Sequence, residues 1–173
     1  MDDARPSETR SQPQPHAMAI AEPSLVPLPG TVSSVMSYPL ITLDVGASLE
    51  QATARMEDER VHHLLLTDRG LVVAMVSDRN LIQARGLGPA QRDTDSRYRR
   101  HPVFQVATFH LVTAEEFCLV EVAAATMLEA GVSALPVVDD DRNVVGILTS
   151  RDLLRYVARL GRQSSDEELL RAS

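Results

Sequence analysis

Two short polar stretches carry the chemistry this chain has to offer. Thr149-Ser150-Arg151-Asp152 interrupts the apolar run VVGILTSRDLL (144–154), and Ser77-Asp78-Arg79-Asn80 interrupts an earlier one in the same way. Each places a hydroxyl three residues before a side chain with an acceptor oxygen, at the point where an apolar run gives way to a helix-period pattern. The plain reading is a capping box: Thr149 as N-cap, with Asp152 reaching back to an orphan backbone donor. The second reading uses the same geometry for a ligand. A helix N-terminus presents N–H groups and the positive end of a dipole, which favours phosphate. A carboxylate one turn in can accept both hydroxyls of a ribose diol. The two readings are compatible.

The elements around these stretches repeat. VSSVMSYPLITLDVGASLEQATARM (32–56) aligns without a gap on VFQVATFHLVTAEEFCLVEVAAATM (103–127). Val32 meets Val103, Leu40 meets Leu111, Thr42 meets Thr113 and Met56 meets Met127. The register continues with VHHLLLTD (61–68) over VSALPVVD (132–139). One inserted residue later, LVVAMVSDRNL (71–81) lies over NVVGILTSRDL (143–153). Matches kept in order over this length mark an internal duplication.

Each copy predicts a short strand (40–43; 111–113), then a helix with Leu49, Ala52, Thr53 and Met56, or Val120, Ala123, Ala124 and Met127, on one face. A branched, Leu-rich strand follows (61–67; 132–138), then a polar turn, another strand (71–76; 144–148) and a second helix. Strands this apolar must be covered on both faces. The expected fold class is therefore α+β: two β-α-β-β-α repeats packed sheet to sheet around a pseudo-twofold axis, since one repeat alone makes a poor core. The expected divisions are a disordered Pro-rich arm (1–30), repeat one (31–84), a linker (85–101), repeat two (102–160) and a frayed tail (161–173), with Gly161 ending the last helix.

This pattern, with VSALPVVD, GILTSRD and VVAMVSDRN, resembles a pair of CBS domains, the Bateman module, in a small stand-alone bacterial form. The resemblance implies a regulatory sensor without catalytic activity that binds an adenosine ligand (AMP, ADP, ATP or S-adenosylmethionine). It also implies a homodimer, a flat disc of four repeats, that signals to an effector protein. It assigns ribose and phosphate contacts to Thr149, Arg151 and Asp152 in repeat two, and to Ser77 and Asn80 in repeat one. It further implies composite pockets. Ser37, Leu40, Thr42, Val61, His62 and His63 would complete the Asp152 pocket. Thr108, Leu111, Thr113, Val132, Ser133 and Ala134 would complete the Ser77/Asn80 pocket. An amide bears no charge and accepts through one oxygen, so the Asp152 pocket is expected to bind nucleotide better. A ligand-free interaction or dimerisation scaffold is the alternative, with the same apolar residues simply filling a core.

Composition narrows the rest. Hydrophobic residues make up 44% of the 173-residue chain and aromatics 3%, so the core is aliphatic. A net charge of -7 argues against broad binding to nucleic acid or to anionic membrane. One cysteine, Cys118, permits no internal disulfide and no C-x-x-C site, which points to a reducing cytoplasm. The polar N-terminus lacks the apolar core of a signal peptide, and no apolar run nears the roughly 18 residues that span a bilayer.

His62-His63 cannot readily chelate one metal, because neighbours on a strand point to opposite faces. If one of them met a phosphate, binding would strengthen in mild acid. Asp139-Asp140-Asp141-Arg142-Asn143 begins like a calcium loop but lacks the glycine and the bidentate glutamate, and reads as a hairpin turn. Gly86-Leu87-Gly88-Pro89 follows a helix and runs into proline, unlike a dinucleotide loop. Arg92, Arg97, Arg99, Arg100 and His101 read as a solvated loop, or as one from which Arg99 or Arg100 swings to a polyphosphate or to an acidic partner. No catalytic constellation and no metal site emerges.

Overall fold

The computed structural model describes residues 17–24, 26–86 and 99–171. Three consecutive leucines in β2 (His63–Asp68) and five consecutive buried residues in β5 (Ala134–Val138) demand cover on both faces, and both strands receive it. Each is the middle strand of a three-stranded sheet. In the first, β1 (Thr42–Asp44) runs parallel to β2, and β3 (Leu71–Ser77) antiparallel to it. In the second, β4 (Ala114–Glu115) and β6 (Val144–Thr149) flank β5 in the same sense. Helices α1 (Leu49–Glu59) and α2 (Asp78–Gly86) belong to repeat one, and α3 (Val120–Ala130) and α4 (Ser150–Arg171) to repeat two. The first strands lie two or three residues later than the sequence pattern indicated. The apolar residues at 40–41 and 111–112 belong instead to the approaches that cross between the repeats.

Helix α1 starts at a full capping box. Ser48 Oγ accepts from the Gln51 amide at 3.2 Å, and Gln51 Oε1 accepts from the Ser48 amide at 2.9 Å, worth about 1 kcal/mol. Leu49, Ala52 and Met56 face the sheet beneath, packed on Leu64, Leu66, Ala74 and Val76. In repeat two, Val120, Ala123 and Met127 pack on Leu135, Val137, Val145 and Leu148. The opposite faces of the two sheets meet through Leu65, Val72, Val138 and Val144.

A β-bulge in each hairpin makes this two-sided packing possible. Thr67 pairs with Val72 and Leu66 with Ala74, leaving Val73 extra; Val138 pairs with Val144 and Val137 with Gly146, leaving Val145 extra. An extra residue reverses the facing of everything beyond it. Val72 and Val144 thus face the other sheet, whereas Ala74, Val76 and Leu148 face helices.

The repeats also exchange their leading segments. Val32 and Val35, which precede the first strand of repeat one, are buried in the core of repeat two. Val103 is buried in the core of repeat one. Ser37 exchanges both backbone hydrogen bonds with Ile147 of β6, at 2.8 and 3.1 Å. Its repeat-two counterpart, Thr108, does the same with Met75 of β3, at 2.9 and 2.8 Å.

Two expectations need correction. Residues 17–30 do not form a disordered arm where they are described. Met18 bridges Val72 and Ile20 bridges Val144, so one short segment spans both sheets. Ser24 then donates through its amide and hydroxyl, at 2.8 and 2.9 Å, to the buried carboxylate of Glu116. These pairings offset the ordering entropy that the Pro-rich composition led one to expect would win. Residues 1–16 lie outside the described residues. Nor does Gly161 end the last helix: α4 continues to Arg171. A helical glycine costs about 1 kcal/mol relative to alanine, which weakens a helix without terminating it. Of the linker, 87–98 lies outside the described residues, including Arg92, Arg97 and the Gly-Pro turn. Arg99 pairs with Glu50 at 3.2 Å, with both side chains about half exposed.

Gly146 lets the exchanged segment approach. A Cβ there would meet the sulfur of Met36 at less than contact distance. The equivalent positions of repeat one hold Ala74 and Ala107, both in the repeat-one core, so a larger strand residue goes with a smaller one on the exchanged segment. Gly146→Ala should therefore lower stability by about 1–3 kcal/mol. The same change in a Met36→Ala chain should cost nothing measurable. Urea unfolding of the double-mutant cycle checks this, and equal costs in both backgrounds would exclude the size compensation.

Candidate functional site

The strand exchange that pairs Ser37 with Ile147 also carries residues 37–41 over the start of α4. A cleft of about 880 Å³ opens there, within the usual range for small-ligand sites. One wall is Thr149, Ser150, Arg151, Asp152 and Arg155; the other is Ser37 to Ile41; Val61, His62 and His63 close it with Leu65, Ile147 and Ser133. Thr149 and Asp152 thus meet Ser37, Leu40, Val61, His62 and His63 in one space. Thr42 does not line it, because it already sits in β1, paired with Leu65. Sequence reasoning missed Arg155, Arg60 and Asp78, which also line the cleft. Arg155 was legible as the residue one turn beyond Asp152 on the same helix face.

Asp152 is 5% exposed and is held from several sides. Its Oδ2 accepts from the Thr149 amide at 2.9 Å and from the Thr149 hydroxyl at 2.6 Å. The Asp152 amide donates back to Thr149 Oγ1 at 3.4 Å. Its Oδ1 accepts from the Ser37 hydroxyl at 3.1 Å, and Arg155 approaches the same oxygen at 3.5 Å. The capping box therefore occupies one carboxylate oxygen and leaves the other turned to groups that line the cleft. The amide of Ser150 donates to the Ser133 carbonyl at 3.0 Å. Two amides at the start of α4 are thus already committed, and the helix end offers fewer free donors than its sequence implied.

Repeat one builds the same box with an amide. Asn80 Oδ1 accepts from the Ser77 amide at 2.9 Å and hydroxyl at 2.6 Å, while the Asn80 amide donates to Ser77 Oγ at 3.2 Å. The single oxygen does the whole capping task. Ser77 and Asn80 do not line the large cleft. Of their expected companions, Thr108 pairs with Met75, Leu111 packs between the sheets, Val132 packs on the repeat-two core and Ala134 opens β5. Ser133 lines the Asp152 cleft instead. Thr113 lies on the approach to β4.

Only His63 lies on β2; His62 precedes the strand, and the two line the same cleft with different partners. His62 Nδ1 lies 2.8 Å from Asp78 Oδ2 on an exposed face. His63 Nε2 lies 3.0 Å from the Ser133 hydroxyl. Burial pushes His63 below its ordinary pKa of 6.5; nearby Asp78 pulls it up, and His62 and Arg79 push it down further. Cys118 is a half-buried thiol whose pKa burial raises. Among the described residues no group of three His, Cys, Asp or Glu is placed to hold a metal ion. No helix there is long and apolar enough to cross a membrane.

The CBS domain family model matches residues 32–86 and 103–159. The chain belongs to the CBS domain family. A CBS domain-containing protein of Dictyostelium discoideum is 30% identical over 133 residues, covering 75% of this chain and 92% of that protein. Homoserine O-acetyltransferase of Methanohalobium evestigatum is 28% identical over 127 residues, 73% of this chain, but the chain spans only 24% of that enzyme's length. Among solved structures, the CBS domain pair of protein MJ0100 in complex with 5′-methylthioadenosine and S-adenosyl-L-methionine superposes with a TM-score of 0.64 at 27% identity, covering 74% of this chain and 95% of that one. The CBS domain protein PAE2072 from Pyrobaculum aerophilum complexed with AMP superposes with a TM-score of 0.61 at 25% identity, covering 71% and 89%.

The half-buried His63 of this CBS pair predicts a pH dependence. Its neutral form is favoured in the fold, so the unfolded chain takes up the proton first as pH falls. The stability this group contributes is fully present above its unfolded pKa of 6.5 and is lost as pH falls below that value. Urea unfolding between about pH 5 and 7.5 should show a shallower slope for His63→Gln than for the wild type. Equal slopes would mean that His63 carries none of the linkage.

Proposed function

We propose that this CBS pair is a regulatory module that binds an adenosine ligand in the cleft between its repeats and signals to a partner protein by a change in repeat packing. The single observation that carries the reading is the half-committed carboxylate of Asp152. In the reading, the ribose diol donates to Oδ1, displacing the Ser37 hydroxyl and Arg155. The base lies in the apolar slot of Leu40, Val61, Leu65 and Ile147, edged by backbone groups of the exchanged segment. Arg151 and Arg155 face the phosphate, since the Ser150 and Asp152 amides of α4 are occupied. The ligands named for the MJ0100 and PAE2072 structures, S-adenosyl-L-methionine, 5′-methylthioadenosine and AMP, share an adenosine moiety, which supports this choice of ligand class.

The reading includes no catalytic step, no resident cofactor, a cytoplasmic setting and a homodimer. Leu154 and Val157, 71% and 63% exposed on α4, support the dimer, since they leave an apolar strip for a second copy. Repeat one, with Asn80 for the acid, takes the ligand weakly or not at all.

Asn80 also supplies the decisive control, because it shows that an amide sustains the box. Asp152→Asn should keep the unfolding temperature of the free protein within a few degrees while lowering affinity for AMP, ADP, ATP or S-adenosylmethionine by about tenfold or more. Asp152→Ala should lose both cap and ligand. A ligand at about 100 times its dissociation constant adds about 2.7 kcal/mol, which thermal unfolding resolves. If none of the four raises the wild-type unfolding temperature, the ligand-free scaffold takes its place. Unchanged affinity in Asp152→Asn would move the site elsewhere.

A further inference from the structure

Asp152 separates two spaces. Behind the large cleft lies a groove of about 470 Å³ between the exchanged segment and α4, with Ser34 and Ser37 on one side and Arg155, Arg159 and Arg162 on the other. The arginines recur at intervals of four and three residues, so they share one helix face over about 10 Å of axis. Among the described residues Arg155 has only its long contact to Asp152, and no acidic side chain pairs with Arg159 or Arg162. Like charges one turn apart repel and weaken a helix, and a bound polyanion relieves this. The concentration is local, since the whole chain carries a net charge of -7. Guanidinium forks match phosphate oxygens in two-point contacts, and they are the donors the groove offers, because the Ser34 hydroxyl already donates to the Thr31 carbonyl at 2.7 Å and the Ser37 hydroxyl to Asp152 at 3.1 Å.

Ser37, Asp152 and Arg155 line both spaces, so the groove continues from the cleft at the carboxylate. A phosphoryl group passing that junction is repelled by Asp152, so Arg155 has to offset the carboxylate there, and Arg159 and Arg162 attract the group farther along α4. We propose that this groove is a phosphoryl subsite, taking the polyphosphate tail of a nucleotide seated in the cleft or a free polyphosphate anion. With a nucleotide as the source, the proposal rests on the reading of the cleft given above. With a free anion it stands alone. It also goes further than that reading, because it makes the number of phosphates the property the chain senses.

The test is calorimetric titration of the full chain and of the Arg159→Ala/Arg162→Ala variant with AMP, ATP and inorganic tripolyphosphate. Both arginines are exposed on α4, so the variant is expected to fold, and its unfolding temperature is measured alongside. The wild type should bind ATP about tenfold tighter than AMP. The variant should lose that advantage and keep its AMP affinity. Tripolyphosphate binding that the variant abolishes, with no ATP preference over AMP, assigns the groove to a free anion. The same binding with no adenine nucleotide bound also keeps the groove and removes the nucleotide reading. AMP binding with no ATP advantage and no tripolyphosphate binding overturns the subsite while leaving the cleft intact. A variant that matches the wild type for all three ligands, or a variant that loses AMP as well while remaining folded, also overturns it.

Discussion

The exchange of leading segments between the repeats is the constraint on which the rest depends. Ser37 pairs with Ile147, and Thr108 with Met75, each through two backbone hydrogen bonds. Because a buried backbone group without a partner is costly, these pairings bind the third strand of each sheet to the chain that leads into the other. They carry Val32, Val35 and Val103 into the opposite cores. Neither repeat can then complete its apolar core without the other. The large cleft is a by-product of the same crossing: residues 37–41 have to pass over the start of α4, and a cavity is left between them.

The polar groups of that cleft are first of all structural. A carboxylate only 5% exposed needs donors, and the start of α4 needs acceptors; Asp152 and Thr149 satisfy each other. What turns a cap into a candidate site is the surplus. A carboxylate has two oxygens and the box consumes one. The second is reached by Ser37, which arrives only through the strand exchange. The capping and ligand readings of Thr149-Ser150-Arg151-Asp152 therefore describe two sides of one side chain.

The duplication, the alternation of elements and both capping boxes were legible because they rest on residue type at fixed spacing. Val32 over Val103, or Thr149-x-x-Asp152 over Ser77-x-x-Asn80, is visible in one dimension. What was not legible depends on two segments meeting. Nothing in VSSVMS shows that its valines are buried in the other repeat. The extra residues Val73 and Val145 look like ordinary members of apolar strands, and only the pairing partner reveals that two residues oppose one. The Pro-rich composition before residue 31 pointed to disorder, yet Met18 and Ile20 find unsatisfied strand edges on both sheets. Gly161 was overruled by the residues after it, which keep α4 helical. In the cleft, helix spacing pointed to Arg155 although the sequence reading passed it over, whereas Asp78, and Ser133 that was expected in the other pocket, join Asp152 only through the docking of the repeats.

The twofold relation is close in backbone and broken in side chains along its whole length, and three of the breaks meet at the Asp152 cleft. Asp152 stands against Asn80, Met36 over Gly146 against Ala107 by Ala74, and His62 with Asp78 against Ser133 with Ser150. The first break puts a charged acceptor on one side only. The second presses a bulky side chain beside Ser37, the residue that reaches the second oxygen of Asp152. The third lines the floor of the same cleft with an imidazole and a carboxylate on the repeat-one side and hydroxyls on the other. Together the three place a carboxylate with a second oxygen reached by Ser37, and an imidazole beside a second carboxylate, in one cleft, whereas the equivalent motif of repeat one keeps only the cap that its single amide oxygen supplies.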